Sequence, residues 1–246
     1  MQDAIRFERY TIPVLYEDNH LLAVVKPPNM PVQADRSGDG DLLNALKAYI
    51  GEKYAKPGSV YLGLVHRLDR PVGGAMIFAR TSKAASRLSA AFAKHTQKRV
   101  YLAVLEGVPE GPTEMRDWLL KDPATGMVRV VPEGAEGARL ALLRSQPLAV
   151  SEGRTLVQVQ LFTGRSHQIR VQHASRGLPI WGDARYGVGK PGQQIALWAA
   201  MLDLEHPVRK TPLRLVSLPP DEGAWRAFPE ALRLAGEHLS DGDPSQ

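Results

Sequence analysis

The sequence predicts an α+β fold with a largely antiparallel sheet, and three observations support this prediction. Segments with the pattern of strands outnumber those with the pattern of helices, and many connections between them are short. No strand is followed by a glycine-rich phosphate loop, so nothing favours a doubly wound nucleotide-binding fold. The stretch "GVGKPG" at 187–192 lacks the Gly-x4-Gly-Lys-Ser/Thr spacing, and we interpret it as a flexible turn.

Strands are predicted where apolar residues run together or alternate with polar ones. These segments are 21–25, 75–79, 100–107, 155–162 and 213–217. In the fourth segment Val157, Val159 and Leu161 share one face, as the two-residue period of a strand requires. Residues 108–153 are predicted to form short strands joined by turns, and residues around 195–202 fit either a strand or a helix.

Three helices are predicted from capping residues and apolar spacing. Asp41 is placed to cap the first, in "DLLNALKAYI". The second, in "TSKAASRLSAAFAKH", has an apolar stripe and, on a neighbouring face, Lys83, Arg87 and Lys94. The third is short, lies in "TGRSHQIRVQHASRG" and ends at Gly177.

Composition excludes several classes of protein. An apolar share of 43% and a charged share of 23% over 246 residues are ordinary for a globular chain. No run approaches the roughly 18 apolar residues of a membrane span, and the first residues lack the apolar core of a signal peptide, which favours the cytoplasm. The absence of cysteine excludes disulfides, thiolate catalysis and cysteine–zinc sites.

Positive charge is concentrated in one part of the chain. Lys plus Arg exceed Asp plus Glu by 31 − 26 = 5, but residues 66–100 hold eight Lys or Arg and one acid, Asp69. Such a region suits a polyanion such as nucleic acid, while the alternative is a solvated basic face.

Metal and serine chemistry have weak signals. His167 and His173 are six residues apart and do not share a helical face well, and no His-Glu-x-x-His occurs. The sequence around Ser166 departs from Gly-x-Ser-x-Gly because Gln168 replaces the second glycine.

The segment "GLVHRLDRPVGG" (63–74) places one carboxylate, Asp69, between Arg67 and Arg70, with His66 just before. The two guanidinium groups are expected to lower the pKa of Asp69 and keep it charged. A general acid needs the opposite shift, so a nucleophile or an ion-pair partner fits better. The local sequence leaves open that Asp69 only ties a loop through salt bridges. The glycines that follow are expected to let the backbone approach a ligand closely.

Tyr101 and Arg165 are further candidates in distant segments. A strand tyrosine in "KRVYLAVLEG" is more often a core residue than a catalytic one. Arg165 lies where a strand turns into a helix, and its guanidinium calls for an anionic partner, unless it is a surface residue. An ion pair between Asp69 and Arg165 would join the two halves of the chain.

Taken together, the motifs resemble the RluA family of RNA pseudouridine synthases. The matching segments, in order, are "LLAVVKPPNMPVQ" (21–33), "GLVHRLDRPVGGAMIFART" (63–81), "KRVYLAVLEG" (98–107), "LFTGRSHQIRVQHASRGLPIWGDARYG" (161–187) and "LEHPV" (204–208). They span most of the chain, and their ordered combination is far more specific than any one of them.

The resemblance implies the pseudouridine synthase fold, a mixed, mainly antiparallel sheet divided by a central active-site cleft. It implies that Asp69 is the catalytic aspartate of an enzyme that detaches uracil from ribose, turns it and rejoins it through carbon 5, without cofactor or metal. Breaking a glycosidic bond leaves positive character on the sugar, which a carboxylate stabilises or traps. Whether Asp69 attacks the sugar, attacks the base or assists proton removal stays open. Tyr101 matches the family's tyrosine, expected to stack on the base, and Arg165 matches the basic residue that orients Asp69.

The resemblance also implies RNA as the partner, as a stem-loop of ribosomal or transfer RNA. Arg67 matches an arginine that, in some relatives, enters the RNA stack when the target base is flipped out. The other residues expected to bind RNA are His66, Arg70, Lys83, Arg87, Lys94, Lys98, His167, Gln168 and Arg170.

Two departures from the family pattern are expected to alter RNA contacts: "PVGG" where many relatives have a Thr/Ser pair, and "LWA" at 197–199 where many have "LHA". Because about twenty residues precede "LLAVV", we expect the short form of the family, without an N-terminal RNA-binding domain. We expect a monomer with one catalytic domain over 1–234 and a frayed tail over 235–246.

Two alternatives to this enzyme remain. A catalytically silent RNA-binding module on the same fold is disfavoured because Asp69, Tyr101 and Arg165 are all present. A glycosidase with paired carboxylates is disfavoured because the segment 66–100 around Asp69 has no second acid.

Overall fold

The computed structural model describes residues 4–190 and 192–241 and confirms the α+β class. The described chain divides into two compact units whose sequence ranges interleave. The first unit comprises residues 4–97 and 199–217, and the second comprises the remaining described residues of 98–198 and 218–241.

The first unit has a sheet in the order β1-β2-β3-β5-β11-β12, with the short β4 paired to β5. Its strands are β1 (Ala4–Phe7), β2 (Tyr10–Glu17), β3 (Leu21–Lys26), β4 (Gly63–Leu64), β5 (Gly73–Ala79), β11 (Leu197–Glu205) and β12 (Pro212–Val216). The registers from β1 to β5 and between β11 and β12 are antiparallel. Val24 of β3 lies opposite Met76 of β5, and this register brings the end of β3 beside the start of β5.

Two capped helices complete this unit. The Asp41 carboxylate accepts from Asn44 N–H at 3.0 Å and begins α1 (Leu42–Lys53), as predicted. The Thr81 hydroxyl accepts from Ala84 N–H and begins α2 (Ser82–Lys94). Ala84 and Leu88 of α2 are buried against β3 and β5 in one core cluster.

The second unit has an antiparallel sheet in the order β6-β10-β9-β7-β8. The strands are β6 (Lys98–Glu106), β7 (Thr113–Lys121), β8 (Val128–Val131), β9 (Arg139–Ser151) and β10 (Arg154–Leu161), and the helices are α3 (Gln168–Ala174) and α4 (Pro229–Asp241). In β10 the predicted alternation is confirmed, with Val157, Val159 and Leu161 buried and Gln158 and Gln160 partly exposed.

The end of the described chain differs from the prediction of a tail frayed from residue 235. Helix α4 extends to Asp241, and its Ala235 and Leu239 are buried. Residues 242–246 of the predicted tail lie outside the described residues.

The segment around 195–202, for which the sequence fitted either a strand or a helix, forms a strand, β11. In the described part of the chain, no helix is both long and apolar enough to cross a membrane.

Candidate active site

Asp69 lies in a tight turn that connects β4 to β5 in the first unit. Val72 N–H donates to the Asp69 carbonyl at 3.0 Å and closes the turn. The preceding Leu68 is 8% exposed and anchors the turn in the core, while Asp69 itself is half-buried. The carboxylate is therefore presented from a backbone that is fixed on both sides.

Lys26, the last residue of β3, binds this turn through hydrogen bonds to its main-chain carbonyls. Its side chain is fully buried, and its Nζ donates to the carbonyls of Pro27, Arg70 and Val72 at 2.9, 2.9 and 2.8 Å. An ammonium has three N–H donors, so each donor has one acceptor. The carbonyls of Arg70 and Val72 lie one and three residues after Asp69, so Lys26 fixes the backbone that follows the carboxylate.

Burial lowers the pKa of Lys26 to about 7, against the opposing effect of the Asp69 charge, which favours the ammonium. Nearby Arg70 adds to the lowering. Lys26 was not among the residues predicted from the sequence. The signal was a charged residue that ends an apolar strand and precedes two prolines, which is an unusual place for an exposed lysine.

Gly74 follows the turn at the start of β5 and explains one of the two glycines in "RPVGG". Its φ is +121°, and a Cβ there would lie 2.3 Å from the carbonyl oxygen of Ala199 in β11. From the sequence we expected a ligand to approach the backbone closely at these glycines. At Gly74 it is the backbone of β11, in the same unit, that makes this close approach.

His66, three residues before Asp69, contacts β5 and α2. Its Nε2 accepts from Ile77 N–H at 3.0 Å, and its ring stacks on Phe92 of α2 with centroids 4.6 Å apart. These contacts give His66 a role in holding the segment before Asp69 against β5 and α2. Its predicted contact with RNA stays a prediction.

The two arginines beside Asp69 differ in their surroundings. Arg67 is exposed. Arg70 donates from Nε to the Asn29 carbonyl at 3.1 Å and forms ion pairs with Asp35 and Asp39. The Arg70 guanidinium lowers the pKa of the Asp39 carboxyl. Arg70 therefore links the turn to the loop between β3 and α1.

The cations predicted on α2 lie on the exposed side of the helix. Lys83, Arg87 and Lys94 are all exposed, and Arg87 donates to the Pro207 carbonyl at 2.8 Å. Their positions suit the RNA contacts predicted for them, which remain predictions.

Tyr101 belongs to the second unit, on β6, where it lies opposite Val159 of β10. It is half-buried, as is Lys98 at the start of the same strand. Arg99, two residues before Tyr101, is a further cation that the sequence analysis missed. Burial lowers its pKa, while the phenol of Tyr101 opposes this effect.

Arg165 lies in the loop between β10 and α3. Its Nε donates to the Leu140 carbonyl at 2.9 Å, and its main-chain N–H donates to the Gln168 side chain. Burial and the neighbouring charge of Arg139 lower the pKa of Arg165. Since Asp69 lies in the first unit and Arg165 in the second, the predicted ion pair between them stays a prediction.

Gln168 and Arg170 have internal roles in the second unit. The Gln168 amide accepts from Thr163 Oγ1 at 2.9 Å and donates to the Leu142 carbonyl. Arg170 is 6% exposed and forms a two-point ion pair with buried Asp183, at 2.8 and 2.7 Å. Both side chains hold the segment that follows Arg165, and contact with RNA stays a prediction for each.

His167 adopts a left-handed backbone with φ of +53° just before α3. Its Nδ1 lies 2.6 Å from the Tyr186 hydroxyl, which in turn accepts from Val128 N–H at 3.0 Å. Because the hydroxyl accepts from Val128, its own hydrogen is available to Nδ1. His167 is thus fixed between α3 and β8. Within residues 4–190 and 192–241, no group of three or more His, Asp or Glu could hold a metal ion.

Comparisons with known proteins agree with this architecture. A model of the RNA pseudouridylate synthase family matches residues 20–175, which include Lys26, Asp69, Tyr101 and Arg165. Ribosomal large subunit pseudouridine synthase D of Zymomonas mobilis is 32% identical over 209 residues, covering 80% of this chain and 66% of that protein. An uncharacterized RNA pseudouridine synthase of the same organism is 36% identical over 181 residues, covering 72% of this chain and 79% of that protein.

Among solved structures, human RNA pseudouridylate synthase domain containing 4 superposes with a TM-score of 0.70 at 24% identity, covering 89% of this chain and 92% of that one. At this identity the likeness shows the fold alone. The match over residues 20–175 and the relatives above 30% identity show more: the chain belongs to the RNA pseudouridylate synthase family.

Proposed function

We propose that this protein isomerises uridine to pseudouridine in RNA, with Asp69 as its catalytic carboxylate. One observation carries the proposal: the only acid of the basic segment 66–100 lies in a turn fixed by buried Lys26, inside the family match. A carboxylate on a rigid turn can be aimed at a reacting atom with little reorganisation.

The reaction exchanges one bond of uracil for another. The bond from N1 to ribose C1′ breaks, a bond from C5 to C1′ forms, C5 loses its proton, and N1 gains one. Positive character develops on the sugar as the first bond breaks, and the Asp69 carboxylate stabilises or traps it. We assign Tyr101 to stacking on the base and Arg165 to orienting Asp69. No cofactor takes part in this scheme.

The uridine must leave its stack to reach Asp69, at a cost of a few kcal/mol. Exposed Arg67, two residues before Asp69, has a planar guanidinium that can stack in the gap. We propose that a stem-loop of ribosomal or transfer RNA is the substrate, and the names of relatives make large-subunit ribosomal RNA the first to test. We further propose that both units form one catalytic domain, acting as a monomer in the cytoplasm.

Mapping of pseudouridines in total RNA tests the function. The map is compared between cells with and without the gene, and between deletion cells carrying the wild-type gene or the Asp69→Ala variant. We expect at least one pseudouridine to disappear on deletion and to return only with the wild type. An unchanged map on deletion would contradict the function, and restoration by Asp69→Ala would contradict the role of Asp69.

A further inference from the structure

The second unit contains a cavity of about 340 Å³. Strands β7, β8 and β9 and the loop at 164–166 form its walls. Its lining residues are Leu119, Lys121, Val128, Gly137, Arg139, Gly164, Arg165 and Ser166. The volume lies within the range of roughly 300–1,000 Å³ that ligand sites occupy.

Strand register explains why cations meet here. Lys121 of β7 lies opposite Val128 of β8, and Leu119 of β7 lies opposite Arg139 of β9. Directly opposed residues share a face, and residues two apart on one strand share it too. Lys121 and Arg139 are therefore on one face of the β8-β7-β9 sheet. Arg165 joins them because its Nε is bonded to the Leu140 carbonyl.

The charge in this cavity is of one sign. None of the described residues that line it is Asp or Glu, while three are cations. Burial and Arg139 lower the pKa of Arg165, so the two guanidinium groups repel each other in the free protein. An anion bound between them would remove that repulsion.

A fourth cation, Arg99, lies beside the loop at 164–166. A Cβ on Gly164 would lie 2.7 Å from Nη1 of Arg99, so the missing side chain lets Arg99 approach. The Nε and Nη2 atoms of Arg99 are buried and, among the described residues, have no hydrogen-bond partner. Buried guanidinium donors without acceptors are costly, and they add to the positive potential at this loop.

We propose that this cavity binds a phosphate group of the RNA backbone through Lys121 and Arg139, beside Arg165. The assignment rests on the proposed function for its choice of RNA as the source of phosphate. A phosphate suits the site because guanidinium groups donate two parallel hydrogen bonds to its oxygens and an ammonium adds a point charge. The lining residues include no aromatic ring on which a base could stack. The site positions the RNA and reads no base.

The test uses Lys121→Gln, Arg139→Gln and the double variant of the full chain. Arg129→Gln is the matched control, because Arg129 lies on β8 next to Val128, is exposed, and points to the opposite face. Binding to an unmodified large-subunit ribosomal RNA transcript is measured from about 50 to 200 mM salt. We expect the double variant to bind roughly tenfold more weakly, with a salt slope smaller by about 1. The control should keep the wild-type slope.

Three results would overturn the proposal: a double variant with wild-type affinity and slope, a control that loses as much as the double variant, or no binding of the transcript by the wild type at about 50 mM salt. Folding of each variant is checked by thermal unfolding. Because Lys121 and Arg139 are both exposed, we expect the variants to unfold like the wild type. The measurement reports binding alone. If the double variant has a smaller salt slope but the wild type forms no pseudouridine, the phosphate site is upheld and the proposed function is wrong. If the wild type forms pseudouridine but the double variant keeps the wild-type affinity and slope, the proposed function is upheld and the phosphate site is wrong.

Discussion

Replacing Lys26 with Met removes the three hydrogen bonds that fix the turn of Asp69. The substitution keeps the length of the apolar stem, so the buried space stays filled. The carbonyls of Pro27, Arg70 and Val72 then lose their donor. Each such bond contributes about 1 kcal/mol net, and near pH 7 roughly half of the Lys26 side chains are neutral amines with two N–H donors. The free energy of unfolding should therefore fall by about 2–3 kcal/mol at pH 7.

The deficit of this variant should grow with pH. The pKa of Lys26 is about 7 in the folded protein, below its ordinary value of 10.5. Between these values the unfolded chain holds a proton that the folded chain lacks, and a rise in pH therefore stabilises the folded wild type. The Met variant has no such group. The difference between the two should widen by about 1.4 kcal/mol per pH unit above pH 7 and stay constant below it.

Urea unfolding at pH 6, 7.5 and 9 measures both effects, and pseudouridine formation is assayed alongside. Lys56→Met is the matched control, because Lys56 is an exposed lysine of the same unit. We expect the control to behave as the wild type and Lys26→Met to lose stability and rate. A Lys26→Met variant as stable and as active as the wild type would refute the reasoning that this side chain positions the Asp69 turn.

Three further predictions concern the two units. Gly74→Ala should cost roughly 3 kcal/mol or more in urea unfolding, since its φ is +121° and its Cβ would overlap Ala199; a cost near zero would contradict this. Arg170→Met should cost about 3–5 kcal/mol because it leaves the Asp183 carboxylate buried and without its cation, and a stable variant would show that the pair is dispensable. Burial lowers the pKa of His173 to about 4, so the unfolded chain takes up a proton first as pH falls below 6.5. Stability should drop by about 1.4 kcal/mol per unit from pH 6.5 to 4, and a His173→Gln variant with the same drop would contradict the assignment.

The sequence predicted the strands and helices whose apolar period or caps were plain. The alternation in β10 and the cap at Asp41 are local signals, and both are confirmed. The C-terminal helix α4 was missed because its sequence is rich in charge and Gly236 interrupts it. Burial of Leu232 and Leu239 stabilises it, and such tertiary packing is not visible in local propensity.

In the candidate site, too, some residues could be predicted from the sequence and others could not. Motif order singled out Asp69 as the acid of the site, but nothing local showed that Lys26, 43 residues earlier, holds its turn, because that contact depends on the antiparallel register of β3 with β5. The cavity of Lys121 and Arg139 depends on a register between β7 and β9 in the same way. A long-range register follows from the whole fold, so residues that are far apart in sequence escape local analysis.

The most direct test of the central claim is the rate at which purified wild type and Asp69→Asn form pseudouridine in unmodified RNA that carries the mapped uridine. Asn keeps the shape of the side chain and removes its charge, and RNA binding and thermal unfolding are measured on the same samples. We expect Asp69→Asn to bind RNA and to unfold like the wild type but to form no pseudouridine. Formation at the wild-type rate would contradict this expectation.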